Sequence, residues 1–272
     1  MTTYDFGAGP VPAHRHKNGG GWVADTATVA ESAFIGPQAE IYDQAVVSDR
    51  AWITDEAKVY GEAKASGWVR VSGQARVSSQ AKVRGEALVS GEAEISGYTT
   101  VSDYAVVTGR AKVSGYTVVF DYAVVNGQAT VAESASVCPD AMVSDHARVF
   151  GFAVVSDEAV VSGGARVSGH AKVSGQAQFF GHSKARGEAL VTDQAVVFGQ
   201  AVVSGWARVT DYAKVTDYAR VMGHAQISGF ARVCEQATVF GWAKVSGHAQ
   251  VSGWAKVHGD VNGAARGVGG DQ

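Results

Sequence analysis

The chain has 272 residues, 46% of them hydrophobic and 18% charged, with a formal net charge of −3. That balance excludes a specialist for nucleic acid or for anionic membrane surfaces. There is no apolar run of signal-peptide or membrane-spanning length, so a cytoplasmic or virion-associated location is expected.

Residues 1–22 stand outside the pattern that dominates the chain. Tyr4, Phe6, Val11 and Trp22 are placed to fold over the first repeats and cover their unpaired edge. The run His14-Arg15-His16-Lys17 reads as a solvated loop.

From Val23 to Val257 the chain is one six-residue phrase, repeated 40 times with nothing inserted or lost. Val167-Ser168-Gly169-His170-Ala171-Lys172 is a clean copy. With that Val as position 1, position 1 is almost always Val or Ile and position 5 almost always Ala. Positions 5, 6 and 1 thus alternate apolar, variable, apolar, which is a short strand with one buried face. Position 3 is mostly Gly or Asp, as at Gly73, Gly91, Gly169, Asp103, Asp157 and Asp211. These residues suit a bend with positive φ. A strand and a bend every six residues cannot pair with themselves, so the chain must wind and pair with its own next turn. The predicted fold is all-β: a single-stranded, three-sided parallel β-helix, or solenoid, of about 13 coils of about 18 residues each. Its expected parts are an N-terminal lead-in (1–22), the helix (23–258) and a Gly-rich flexible tail (259–272).

The exceptions to the phrase come in pairs. Phe179 and Ala185 both break position 1, on neighbouring sides of one predicted coil, so a large residue beside a small one conserves volume. Ala65 is followed in the same way by Val69. Thr99 and Thr117 replace Ala at position 5, one coil apart, and their hydroxyls are expected to bond to each other. Cys138 and Cys234 lie more than five coils apart, beyond disulfide reach.

Position 6 points outward and sorts into three faces. One is charged and mainly basic, from Glu40, Lys58 and Arg76 to Lys256, and reads as solvated. A second is mixed. The third carries Phe34, Trp52, Leu88, Val106, Val124, Met142 and Val160, an apolar ridge and the expected interface for self-association. Position 4 holds aromatic residues in columns: Tyr98 with Tyr116, Tyr104 with Tyr122, and Trp206 with His224 and Trp242. Such ladders could hold sugar rings, although mutual stacking already accounts for them.

The hexads resemble those of the hexapeptide-repeat proteins that form left-handed parallel β-helices. The opening Asn18-Gly19-Gly20-Gly21-Trp22-Val23-Ala24-Asp25 and the tandem Ala-x-Val-x-Gly-x wording are similar to the YdcK-like branch, bacterial and phage proteins of unassigned activity. The resemblance implies the left hand and assembly along the sides of the helix. It also raises acyl transfer, which in that superfamily uses a His general base in a pocket built by an extruded loop. Here no loop interrupts the repeat. His146, His170, His182, His224 and His248 all occupy position 4 as plain substitutions, and nothing in the sequence positions a pocket beside them. No catalytic, cofactor or metal residues are assigned.

The sequence therefore predicts a rigid, non-catalytic solenoid, a structural, assembly or interaction protein. A homo-oligomer is expected, formed along a side face or at the C-terminal end. Membrane and nucleic-acid partners are not expected. The alternatives are a hexapeptide acyltransferase-like enzyme and a carbohydrate- or polyanion-binding rod.

Overall fold

The computed structural model describes residues 2–263. They form an all-β solenoid of three parallel sheets, about 13 turns of about 18 residues. Most strands are the two residues at positions 6 and 1, each paired with the strand one turn away. Lys172–Val173, for example, lies between Val154–Val155 and Leu190–Val191. Position 5 does not extend the strand, because its amide closes a turn. The Ala171 N–H donates to the Ser168 carbonyl, 3.4 Å away. Positions 1 and 5 still line the interior, and Ala171, Val173, Ala177 and Val191 are wholly buried.

The bends explain the choice of Gly or Asp at position 3. The backbone there is left-handed, with φ 71° at Gly91 and 57° at Asp211. At Gly91 a β-carbon would stand 2.8 Å from the Gly109 carbonyl oxygen. Asp is tolerated because it makes a local bond. Its carboxylate accepts the position-3 amide of the next turn, which the bend itself leaves without a partner. Asp43 Oδ2 accepts the Gly61 N–H at 3.0 Å, and Asp211 Oδ2 accepts the Gly229 N–H at 2.7 Å.

The same bond gives one bend a pH dependence. The Glu235 amide (3.0 Å) and then the Thr216 hydroxyl (2.9 Å) donate to Asp217 Oδ2 and hold its carboxyl below the ordinary value. The lowered folded-state pKa means this support is complete above the unfolded carboxylate value, about 3.9. It is lost as pH falls through the folded-state value. Asp217→Asn is expected to shrink the drop in melting temperature between pH 6 and pH 3; an equal drop in both proteins would remove the role.

The chain comprises two compact units, Met1–Glu133 and Ser134–Gln272. The first opens with a hairpin. Strand Thr3–Asp5 pairs antiparallel with Pro10–Arg15, which pairs antiparallel with Trp22–Ala24 and so covers the edge of the first parallel strand. Tyr4 stacks on Trp22 at 4.4 Å and donates its hydroxyl to Glu40 at 2.9 Å. Glu40 is buried, and Lys58 Nζ, 2.6 Å from its Oε2, supplies the countercharge. In the run His14 to Lys17, read as a solvated loop, His14, Arg15 and Lys17 are exposed, but His14 and Arg15 belong to the second strand and the run is tied to its neighbours. Arg15 lies over Trp22 and donates to the Gly20 and Pro37 carbonyls, His14 pairs with Asp25 at 2.8 Å, and His16 is buried. Thr99 and Thr117 are vertical neighbours, with the Thr100 amide on the Thr117 carbonyl. Their hydroxyls do not bond to each other, however. Each donates to the carbonyl three residues back, Ser96 or Ser114, at 2.6 Å. That turn carbonyl is the nearest acceptor to a buried hydroxyl.

In the second unit Phe179 sits between Val161 and Val197, and Ala185 between Val167 and Val203. Ser183, buried between them in sequence, gives its hydroxyl to the Phe180 carbonyl at 2.9 Å. Burial pushes the Cys234 thiol up, and its Sγ faces the Val251 carbonyl. Near the end, Val261–Asn262 pairs with Val245 and Ser246, a register two residues tighter than the usual turn. Of the Gly-rich segment expected from 259 onward, residues 264–272 lie outside the described residues.

Candidate functional site

In the first unit the ridge residues Phe34, Trp52, Arg70, Leu88, Val106 and Val124 pair in that order up one sheet. Phe34 and Trp52 stack at 4.3 Å, and the valines are half-buried by their neighbours. Beside them runs a corner column, Arg50, Trp68 and Glu86, with the Arg50 guanidinium 4.7 Å from the Trp68 ring. The two columns line a depression of about 1020 Å³. Trp52 and Trp68 remain 49% and 59% exposed within it. In the second unit Met142 pairs with Val160, and Val160 with Gln178, which ends the apolar run.

The aromatic columns are stacked rings. Tyr98 on Tyr116 and Tyr104 on Tyr122 lie at 4.8 and 4.9 Å with planes within 5°. Rings stacked this way cover each other's faces and turn their edges to solvent. The Trp206–His224–Trp242 ladder differs. Its separations are 6.1 and 4.0 Å, and Trp242 is 72% exposed.

This ladder forms one wall of a groove of about 440 Å³. The corner contributes His170, Glu188, Trp206, His224 and Trp242; the adjoining mixed face contributes Lys172, Leu190, Arg208 and Gln226. A smaller depression of about 220 Å³ lies beside His182, whose ring rests against Gly164, with Arg166 and Lys184 on its other wall. The expectation that nothing places a pocket beside the repeat histidines is thus corrected for His170, His182 and His224. The physical reason is simple. A large side chain at position 4 stands up from the corner, and the adjacent strand face lies lower, so a column of large corner residues makes a groove without any inserted loop. Sorting positions 4 and 6 together would have found it, as it would have found Arg50 and Trp68 beside the ridge. Among the described residues, no three His, Cys, Asp or Glu side chains come together to hold a metal ion. No helix among them is long and apolar enough to cross a membrane.

No family model and no curated protein matches the chain. Solved structures do. A UDP-N-acetylglucosamine acyltransferase from Campylobacter jejuni matches at 13% identity and a TM-score of 0.26, over 67% of each chain. The UDP-N-acetylglucosamine O-acyltransferase (LpxA) of Moraxella catarrhalis RH4 matches at 12% identity and a TM-score of 0.19, over 82% of this chain and 66% of that one. The chain is a hexapeptide-repeat β-solenoid. The likeness is one of fold. The expectation that the protein is not an enzyme is withdrawn, because the grooves beside His170, His182 and His224 remove its ground, that nothing positions a pocket beside the repeat histidines. A solenoid of this repeat is no ground for excluding catalysis.

Proposed function

We propose that the groove over His170, Glu188, Trp206, His224 and Trp242 is the working site of an acyltransferase-like enzyme whose acceptor is an anionic carbohydrate. The observation that carries this reading is the His224 ring, held between two indoles and lining a groove with Lys172 and Arg208 on its opposite wall. The stack fixes the imidazole plane and leaves its edge to meet a ligand. The exposed face of Trp242 suits a sugar ring, and the two cations suit a phosphate or carboxylate. In the reaction His224 takes the proton of a sugar hydroxyl and the oxygen attacks the carbonyl of an acyl thioester. The C–S bond breaks, and the thiolate leaves with the proton returned by the imidazolium. The opening run Asn18–Asp25 supports the finer placement in the YdcK-like branch.

The test is thiol release from acetyl-coenzyme A with UDP-N-acetylglucosamine, the sugar nucleotide in the names of both solved relatives. Turnover is expected to fall about 100-fold in His224→Ala. Trp242→Ala is expected to weaken sugar binding about tenfold. Release by the wild-type protein no faster than in buffer sinks the reading.

A second surface supports self-association. The first-unit depression combines exposed Trp52 and Trp68 with Arg50, Arg70 and Leu88, and Trp and Arg are the residues that dominate binding energy at protein interfaces. We propose that it seats a second copy of this chain, together with the ridge residues Val106 and Val124.

A further inference from the structure

The N-terminal hairpin does more than cover an edge. Position 2 of the first three turns on this side reads Ala24, Tyr42, Tyr60. Tyr42 and Tyr60 stack at 4.9 Å with planes 5° apart. Ala24 has no ring to continue the column, and Phe6 from the hairpin takes that place, 4.9 Å from Tyr42. The loop that carries Phe6 is pinned at its base, where Asp5 Oδ1 accepts the amides of Gly7 (2.7 Å) and Gly9 (2.9 Å). Because Phe6 comes in from the side, space is left between the loop and the turns.

That space is a cavity of about 790 Å³, within the range of small-molecule sites. Its walls are mainly apolar, with Phe6, Val11, Pro12 and Tyr42 prominent, and its charged groups are Asp25 and Asp43. None of the residues lining it is Lys, Arg or His. Asp25 gives one oxygen to His14, and Asp43 gives Oδ2 to the Gly61 amide, so each carboxylate keeps an oxygen for another donor. Tyr42, its phenol pushed up to about 12 chiefly by burial, stays neutral; Phe6 and Tyr60 cover its two faces, so it offers a ring edge and a hydroxyl.

We propose that this cavity is a binding site for a small organic cation with a planar apolar body, an aromatic amine in chemical class. The apolar walls take the body, and Asp43 and Asp25 take the ammonium as ion pairs. The site belongs to the first unit and is independent of the His224 groove.

Calorimetry on the full chain with three probes of one ring system tests it: tryptamine, neutral indole and anionic indole-3-acetate. Tryptamine is expected to bind at least tenfold more tightly than indole-3-acetate. Asp43→Asn keeps the left-handed bend and an acceptor for Gly61, so the fold is retained. It is expected to weaken tryptamine about tenfold and leave indole unchanged, and His224→Ala to alter none of the three. Equal affinities for tryptamine and indole-3-acetate in the wild-type protein, or no binding of either, would overturn the site whatever the variant does.

Discussion

Phe179→Ala should destabilise the second unit by about 3–5 kcal/mol, the cost of deleting a buried aromatic ring where the surroundings cannot collapse. The ring is wholly buried between Val161 and Val197. Their strands are held by backbone bonds on both sides, such as the Phe180 amide to the Val197 carbonyl at 3.0 Å, so the turns cannot close on the void. The volume argument makes a sharper demand. Phe179 is large where Val is usual, and Ala185, on the next side of the same turn, is small where Val is usual. Ala185→Val alone should therefore overpack, at about 1–3 kcal/mol. The double variant Phe179→Val/Ala185→Val restores the common phrase and should cost less than either Phe179→Val or Ala185→Val. Urea unfolding followed by circular dichroism measures this coupling. Strictly additive costs would show that the two exceptions do not share one space.

Trp52→Glu should abolish self-association of the chain. A central Trp at an interface is worth about 2 kcal/mol or more on truncation, some 30-fold in Kd, and a buried carboxylate adds its own desolvation cost. The substitution is mild for the monomer. Trp52 stands directly beside Arg70 on the adjacent strand, so a carboxylate there gains an ion pair on the exposed face. Sedimentation at micromolar concentration reads the result, with a multiple of the chain mass expected for the wild-type protein and a single chain for the variant. An oligomer undisturbed by Trp52→Glu, or a wild-type protein that is monomeric, removes the interface. The groove reading is separate, because thiol release tracks His224 and mass tracks Trp52.

These two experiments differ in how early their grounds could be seen. The placing of Phe179 and Ala185 inside, on neighbouring sides of one turn, was legible in the amino-acid order, because a strict period converts a position number into an inside or outside address. The vertical contacts of Thr99 with Thr117 and of Tyr98 with Tyr116 were legible for the same reason. The direction of the Thr hydroxyls was not. A hydroxyl chooses among acceptors by distance, and only the folded bend shows that the carbonyl three residues back is nearer than the next Thr. The knot of His14, Arg15 and His16 was also hidden, since residues before Val23 have no period to address them.

Repetition alone determined the winding, the burial of the columns at positions 1 and 5 and the left-handed bends at position 3, because each comes from one local choice repeated along the chain. Grooves were decided only in three dimensions. The walls over His224 and under Phe6 join short stretches of chain from different turns, and relief on a surface depends on which side chains stand next to one another across turns, a relation that no single hexad contains.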